Sequence, residues 1–170
     1  MENFETNWVP KNLILDVDGV FTDGKIYQSA EGKIFKVFGP DDHDAINIIK
    51  KKLTVTVLSA DKRGFEITKS RIERDMALDL YQVGSQDRVE WIREHFDPES
   101  CVYMGDGIFD PLVFQIVKYS LAPANASKRT QSEADYVTNS RGSEGAVAEA
   151  CIHLLDQFFG GFKVAPNEII

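Results

Sequence analysis

The sequence lacks three features that would place it in other classes of protein. It has only two cysteines in 170 residues, no apolar run as long as a membrane span, and no run of basic residues that could track a phosphate backbone. A membrane-spanning helix needs about 20 consecutive apolar residues, and the first residues also lack the basic and apolar regions of a signal peptide. We therefore expect a cytoplasmic protein with no membrane partner.

The charge of the chain excludes a second class of partner. The formal net charge is −8, and proteins that bind a nucleic-acid backbone rely on clustered positive charge. Nucleic acid is therefore not an expected partner. Cys101 and Cys151 stand beside apolar residues and lack the spacing of metal-binding or redox pairs, so we expect buried thiols.

Apolar runs of strand length alternate with stretches of helical periodicity along most of the chain. This alternation predicts an α/β domain with a Rossmann-like parallel sheet and helices on both faces. The predicted strands are Asn12–Val17, Leu53–Leu58, Ser100–Met104 and Tyr119–Ala122, with weaker ones near Leu80 and Tyr136. The predicted helices are Asp42–Lys52, Lys62–Ala77, Gln86–Phe96, Ile108–Val117 and Ser143–Phe159.

The segment Lys25–Phe38 breaks this alternation and has the pattern of two short strands joined by a turn. We interpret it as a β-hairpin inserted after the first strand. Its second strand places Ile34 and Phe38 on one face and Phe35 and Val37 on the other, so a projecting hairpin would expose apolar surface. Burial against another subunit would cover that surface, and folding back on its own domain is the alternative.

Two carboxylates, those of Asp16 and Asp18, end the first predicted strand. Ligand sites of α/β sheets lie at the carboxyl ends of strands, and Gly19 allows the chain to fold over there. Two acids in one small space need a cation or a shared proton, and Mg²⁺ prefers oxygen ligands. A calcium-binding EF-hand loop is excluded because Val20 and Phe21 occupy positions that need Asp or Asn and Gly. The alternative that Asp16 and Asp18 only form an acidic turn at a strand end, with no catalytic role, remains open at this point.

Two further strand ends carry polar side chains. Ser59 ends the second long strand, and Asp106 and Asp110 follow the third. Because the carboxyl ends of parallel strands meet at one edge, we expect these side chains to converge with Asp16 and Asp18. Ser59 alone is also typical of an ordinary strand end or helix cap.

Three motifs resemble motifs I, II and IV of the haloacid dehalogenase superfamily. They are Asp16-Val-Asp-Gly-Val-Phe-Thr-Asp-Gly24, Ser59, and Gly105-Asp106-x-x-x-Asp110. Within the superfamily the chain is similar to the small phosphatases of 3-deoxy-manno-octulosonate 8-phosphate and of acylneuraminate 9-phosphate. We therefore expect an N-terminal extension over residues 1–11, a haloacid dehalogenase-like hydrolase domain over 12–159 that includes the hairpin at 25–38, and a C-terminal tail over 160–170.

The resemblance implies a Mg²⁺-dependent phosphomonoesterase that acts on a small phosphorylated sugar acid. Asp16 would attack phosphorus to give an aspartyl-phosphate, and Asp18 would protonate the leaving alcohol and then activate water. Mg²⁺ would be bound by Asp16, the backbone carbonyl of Asp18 and Asp106, with Asp110 orienting the metal shell. A signalling receiver also combines acids, Mg²⁺ and a hydroxyl, but its phosphoacceptor ends a different strand from its acidic pair.

The chain departs from the family pattern near the substrate. The motif III lysine is replaced in Ser85-Gln-Asp-Arg-Val-Glu-Trp91, where Arg88 is either a functional replacement or a solvated residue at a helix start. Ser59-Ala-Asp61 replaces Thr-Gly-Arg, and Asp42-His-Asp-Ala45 replaces a glycine-rich loop. A catalytically weakened member that binds phosphate or acts as a scaffold therefore remains an alternative.

The expected site residues fall into three groups. The catalytic residues are Asp16, Asp18, Ser59 and Arg88; the substrate-binding residues are Asp23, Ser59, Ala60 and Arg88; the metal-binding residues are Asp16, Asp18, Asp106 and Asp110.

No cap domain is expected, because the hairpin and ordinary βα units use all the chain between the motifs. An open site would leave the intermediate exposed to water unless a neighbour covers it. The resemblance implies a homotetramer in which hairpins pack together and a tail of one chain approaches the next site.

Overall fold

A six-stranded parallel sheet is the frame of the structure, a computed structural model in which residues 8–162 are described. In chain order the elements are β1 (Asn12–Asp16), β2 (Tyr27–Ser29), β3 (Gly32–Phe35), α1 (Asp42–Ile49), β4 (Thr54–Ser59), α2 (Phe65–Lys69) with a following π-helical turn (Ser70–Asp75), β5 (Asp79–Gln82), α3 (Arg88–His95), a 3₁₀ turn (Pro98–Ser100), β6 (Cys101–Met104), α4 (Asp110–Phe114), β7 (Tyr119–Ala122), α5 (Lys128–Glu133), β8 (Tyr136–Val137) and α6 (Ala146–Phe158).

The strand order places β1 in the interior of the sheet. The sheet has the order β5-β4-β1-β6-β7-β8, and all its neighbouring strands are parallel. The chain fills one side of β1 with β4 and β5 and then fills the other side from β6 onward. A reversal of this kind opens a crevice at the carboxyl ends of the strands, where α/β proteins bind ligands.

The core lies on both faces of the sheet because the central strands are apolar on both faces. Leu13 and Leu15 pack with the apolar cluster that contains residues of α1 and α6. Ile14 points to the opposite face and packs with residues of α3 and α4. Successive side chains of a strand alternate between faces, so a nearly continuous apolar run is what a sheet covered on both sides requires. The predicted α/β fold is confirmed.

Most predicted elements are confirmed, with shifts at their ends that local hydrogen bonds explain. The predicted helix Lys62–Ala77 begins only at Phe65, because Asp61 Oδ1 accepts a hydrogen bond from Gly64 N and holds a turn there. Helix α5 was not predicted from the sequence, although its N-cap gives a signal: Ser127 Oγ accepts from Thr130 N. The proposed domain boundaries stay predictions.

Strands β2 and β3 form the predicted hairpin. They pair antiparallel, and Tyr27 stacks on Phe35 with ring centroids 4.4 Å apart. The prediction that the second strand reaches Phe38 and places it on the same face as Ile34 was wrong. Strand β3 ends at Phe35, and Phe38 packs against the core. Ile34 is 56% exposed and Val37 is 37% exposed in the single chain.

Other expectations from composition can be checked in the described part of the chain. Cys101 and Cys151 are both buried free thiols, as predicted. No helix between residues 8 and 162 is long and apolar enough to cross a membrane.

Candidate active site

The register of the sheet brings the predicted site residues to one edge. Asp16 pairs with Leu58, the residue before Ser59, so the last residue of β1 lies beside the carboxyl end of β4. On the other side Leu15 pairs with Met104, and Asp106 follows two residues beyond the end of β6. The predicted convergence of these three strand ends is thus what the structure shows.

Three carboxylates form an acidic cluster at this edge. Oxygen atoms of Asp16, Asp106 and Asp110 all lie within 4.8 Å of one another. Burial and the neighbouring charges of Asp16 and Asp110 raise the pKa of Asp106 to about 8. Burial also raises the pKa of Asp16 to about 6, although Arg88 opposes this rise. Crowded acids of this kind favour a bound cation, and an all-oxygen donor set fits the predicted Mg²⁺.

Arg88, the first residue of α3, lies inside this cluster. Its side chain is 3% exposed, and its two terminal nitrogens bind the two oxygens of Asp16 at 2.8 Å each. Nη1 also donates to Asp110 Oδ1 at 2.9 Å. Burial works against the charge of Arg88, but the attraction of Asp16 holds its pKa well above the ordinary value. The alternative of a solvated arginine at a helix start is therefore wrong.

Asp110 is held by groups on three sides. Its Oδ1 accepts from the Tyr103 hydroxyl at 2.7 Å as well as from Arg88, and its Oδ2 accepts from Gly107 N at 2.7 Å. Because both carboxylate oxygens are engaged, its orientation toward Asp16 and Asp106 is fixed. Such an arrangement suits an acid that orients a metal site.

The carboxylate of Asp18 lies outside the acidic cluster and is one-third exposed. Lys36 Nζ lies 2.8 Å from its Oδ1 and 3.0 Å from its Oδ2, and Ser59 Oγ is 3.4 Å from Oδ2. The structure therefore separates the two acids of the motif: Asp16 faces the buried cluster, and Asp18 faces the open side. An acid/base group needs such access to a leaving group or a water molecule.

Lys36 was not among the residues predicted from the sequence. It follows β3 by one residue, its side chain is 2% exposed, and it also lies 3.0 Å from Asp61 Oδ2. Lys33 binds the same carboxylate oxygen of Asp61. Burial alone would raise the pKa of Asp61, but hydrogen bonds from the two lysines lower it to about 2. One signal in the sequence could have indicated a buried lysine here. Asp61 is an acid at the position where the family pattern has arginine, and such an acid needs a positively charged partner.

Gly19 allows the loops after β1 and β6 to approach each other closely. Its φ is +90°, a left-handed conformation, and a Cβ at this position would overlap the carboxylate of Asp106. Asn125 adds a second tie, since its Nδ2 donates to Gly19 O at 2.8 Å. The position of Asp106 relative to the Asp16 loop therefore depends on the absence of a Cβ at Gly19.

The remaining predicted substrate residues lie at the margins of the site. Asp23 Oδ2 accepts from the Tyr27 hydroxyl at 2.6 Å, and its Oδ1 accepts from Lys25 N, so it fixes the start of the hairpin. Ala60 follows the buried Ser59 in the loop after β4. Contact of Asp23 and Ala60 with a substrate stays a prediction.

Comparison with known proteins agrees with this geometry. Residues 33–151 match the haloacid dehalogenase-like hydrolase family. The chain is 33% identical over 150 residues to the 3-deoxy-D-manno-octulosonate 8-phosphate phosphatase KdsC of Salmonella typhi, covering 84% of this chain and 78% of that protein. The KdsC protein of Escherichia coli K12 gives the same identity and coverage.

Solved structures show the same fold. The cobalt-bound deoxy-D-mannose-octulosonate 8-phosphate phosphatase of Haemophilus influenzae superposes with a TM-score of 0.77 at 26% identity, covering 86% of this chain and 88% of that one. The Moraxella catarrhalis enzyme, solved with magnesium, phosphate and KDO, gives a TM-score of 0.75, covering 86% of each chain. Its identity of 22% supports the fold alone.

The chain belongs to the haloacid dehalogenase-like hydrolases. The prediction that it is an enzyme of the phosphatase type is confirmed by this membership and by its relatives. The predicted absence of a cap domain is likewise confirmed for residues 8–162.

Proposed function

We propose that this phosphatase hydrolyses a phosphorylated sugar acid through an aspartyl-phosphate on Asp16. The observation that carries the proposal is the difference in environment between Asp16 and Asp18, two acids two residues apart. Asp16 lies buried among two further carboxylates and a guanidinium, whereas Asp18 faces the open side. The first environment suits a nucleophile beside a metal ion, and the second suits a proton carrier.

In the first half-reaction an oxygen of Asp16 attacks phosphorus and the bond from phosphorus to the substrate alcohol breaks. Asp18 gives its proton to the departing oxygen, so an alcohol leaves and an aspartyl-phosphate remains. Arg88 keeps the attacking carboxylate oriented through its paired hydrogen bonds. Ser59 Oγ, close to Asp18, is placed to donate to the phosphoryl group.

In the second half-reaction Asp18 takes a proton from water as the water attacks phosphorus. The bond between phosphorus and Asp16 breaks, phosphate leaves, and Asp18 is again protonated for the next turnover. Asp16 and Asp106 would hold Mg²⁺, with Asp110 orienting the site, and the ion would neutralise charge on the transferring phosphoryl group. The backbone carbonyl of Asp18 is the further ligand that we propose.

The substrate class rests on the relatives, whose names identify 3-deoxy-D-manno-octulosonate 8-phosphate as the molecule they hydrolyse. Asp61, where the family pattern has arginine, does not contradict an anionic substrate, because Lys33 and Lys36 balance its charge. An acylneuraminate 9-phosphate has the same arrangement of a carboxylate and a primary phosphate ester and belongs to the same proposed class.

We also propose that the chain works as a homotetramer. The hairpin exposes Ile26, Ile34 and Phe35, at 68%, 56% and 46%, on the outside of the single chain. Apolar side chains grouped on one projecting element are typical of a surface that a partner covers. The C-terminal tail predicted to approach a neighbouring site lies mostly outside the described residues. Location in the cytoplasm stays a prediction.

The alternative of a weakened phosphate-binding or scaffold protein is not favoured. It was motivated by the missing motif III lysine, and Arg88 supplies a cation in direct contact with Asp16. The planar guanidinium binds both oxygens of the carboxylate, which a lysine ammonium does less well.

The proposal is tested by measuring phosphate release from a panel of sugar-acid phosphates, hexose phosphates and nucleotides, with Mg²⁺ and with EDTA. We expect Mg²⁺-dependent turnover with the highest kcat/KM for a sugar-acid phosphate, and loss of turnover in Asp16→Asn. Faster hydrolysis of nucleotides or hexose phosphates would contradict the substrate class. Activity that persists in Asp16→Asn would contradict the mechanism.

A further inference from the structure

Lys36 is a buried ammonium at the junction of three segments. It comes from the hairpin, and it contacts Asp18 in the loop after β1, Asp61 in the loop after β4 and Thr68 in α2. The distances from its Nζ are 2.8 Å to Asp18 Oδ1, 3.0 Å to Asp61 Oδ2 and 2.7 Å to Thr68 Oγ1. A lysine that is only 2% exposed needs partners of this kind, because a buried charge without them is costly.

These contacts use the full donor capacity of the side chain. A lysine ammonium has three N–H groups, and Asp18 supplies two acceptor oxygens to it, whereas Asp61 and Thr68 supply one each. No N–H of Lys36 is then left for a phosphoryl group. Any effect of Lys36 on the reaction therefore passes through the residue that it holds.

Two of the three partners are themselves fixed. Thr68 is fully buried, and its hydroxyl donates to Gly64 O at 3.3 Å. Asp61 Oδ1 accepts from Gly64 N at 3.1 Å. Lys36 is thus anchored to α2 and to the loop before it by one contact each, and Asp18 is the partner with freedom to move.

Asp18 has little else to hold it. Of the side chains within residues 8–162, only Lys36 and Ser59 contact its carboxylate, and the Ser59 contact is 3.4 Å long. Its side chain is 34% exposed. Without Lys36 the carboxylate would sample other rotamers in water, and misplaced catalytic groups lose much of their effect.

We propose that Lys36 is a positioning residue, which holds Asp18 at the place where it protonates the leaving group. The inference rests on the proposed function, because it assumes that Asp18 is the acid of the first step. It makes the hairpin a part of the catalytic machinery, in addition to its proposed role in assembly. Asp61, which replaces an arginine of the family pattern, is the counterion that lets a lysine stay buried there.

The leaving group gives a readout that a structural role would not move. The alkoxide of a sugar hydroxyl is a poor leaving group and needs a proton as it departs, whereas p-nitrophenolate departs without one. A misplaced Asp18 therefore slows the first step for a sugar phosphate far more than for p-nitrophenyl phosphate. The quantity to compare is kcat/KM, which covers the steps up to departure of the alcohol.

The experiment measures kcat/KM for both substrates with Mg²⁺ in wild type, Lys36→Met, Lys33→Met and Asp18→Asn, with the best sugar phosphate of the panel as the alkyl ester. We expect Lys36→Met to lower the sugar-phosphate value about 100-fold and the p-nitrophenyl value less than about 5-fold, since a general acid contributes 10²- to 10⁴-fold. Asp18→Asn should show the same selective loss.

Lys33→Met is the matched control, because Lys33 lies on the same hairpin and binds Asp61 without contacting Asp18. Its ratio of the two kcat/KM values should stay that of wild type. If Lys36→Met does not fold, Lys36→Gln is measured in the same way. Equal losses for both substrates, or no loss, would overturn the role of Lys36 while wild-type turnover upholds the proposed function. Absence of Mg²⁺-dependent turnover in wild type would overturn both.

Discussion

Arg88 holds both carboxylate oxygens of Asp16, with Nη2 2.8 Å from Oδ1 and Nη1 2.8 Å from Oδ2. The same guanidinium binds Asp110, and Asp106 completes a group of three acids around it. One fixed positive charge therefore offsets part of the repulsion in the cluster. A divalent cation would offset the remainder, so Arg88 and the metal ion stabilise the same group of acids.

Replacing Arg88 by methionine should destabilise the protein most strongly without metal. Removing one partner of a buried ion pair leaves uncompensated charge and costs about 3–5 kcal/mol. We expect the free energy of unfolding of Arg88→Met to fall by about that amount in EDTA, measured by urea denaturation. Mg²⁺ should restore a larger share of stability in the variant than in wild type, because it supplies the missing positive charge.

The control for this prediction is Arg129→Met. Arg129 is 69% exposed and pairs with Glu133 on the surface, so its loss should change stability by less than about 1 kcal/mol. A fall in Arg88→Met no larger than that of the control would show that the buried guanidinium does not balance the acids.

Replacing Gly19 by alanine should weaken metal binding. The added Cβ would overlap the carboxylate of Asp106, and the φ of +90° is unfavourable for alanine. We expect Mg²⁺ affinity, measured by calorimetry, to fall at least about 10-fold, which is about 1.4 kcal/mol. Gly32→Ala is the matched control: its φ is +133°, but no atom lies within 4 Å of the added carbon. Equal Mg²⁺ affinities in the two variants would contradict this account of Gly19.

Asp42 should make stability fall as the pH rises. It is 2% exposed, its Oδ1 accepts from Ala148 N, and its Oδ2 has no partner among residues 8–162. Burial, together with Asp41 and against Arg71, raises its pKa from 3.8 to about 6. A raised acid pKa means that the folded state binds the proton more tightly. The stability from the protonated form is therefore present below pH 4 and is lost as the pH rises through about 6.

Asp42→Asn should remove this loss. At pH 8 we expect the variant to be more stable than wild type by about 3 kcal/mol, since each pKa unit corresponds to about 1.4 kcal/mol. Near pH 4 the two proteins should be about equally stable. Urea denaturation at both pH values with saturating Mg²⁺ measures the difference, and the exposed Asp44→Asn on the same helix serves as the control. A variant less stable than wild type at pH 8 would contradict the prediction.

Replacing Ile34 by glutamate should disrupt the proposed tetramer. Ile34 is 56% exposed on the hairpin, and a charge there could not be buried against another subunit without a cost. Light scattering coupled to size exclusion should show a tetramer for wild type and smaller species for Ile34→Glu. Leu112→Glu, at a 45% exposed position on α4, should leave the mass unchanged. A monomeric wild type with full activity would rule out the tetramer.

The fold and the first set of site residues were predictable because they depend on local patterns. An apolar run followed by acids identifies β1 and its loop, and parallel pairing then requires the ends of β4 and β6 to lie beside it. Arg88 could be named as a replacement for the family lysine, but not placed. Its position depends on burial among acids distant in sequence, which no local pattern records.

Lys36 shows where prediction from sequence stops. In the sequence it is one charged residue in a hairpin strand that alternates poorly, and a solvated lysine is the usual expectation for such a position. Its burial depends on Asp61 and Thr68 arriving from another βα unit. Tertiary contacts of that kind also explain why Phe38 packs inward although Ile34 remains exposed.

The overlap that a side chain on Gly19 would create has a consequence for engineering within the family. The backbone of one catalytic loop and the carboxylate of the other occupy adjoining space, with no room for independent change. A chimera that takes only the loop after β1 from a relative would contain a backbone conformation that fits the relative's loop after β6 and not the one in this chain. Exchanges that carry both loops together should therefore retain metal binding more often than exchanges of either one.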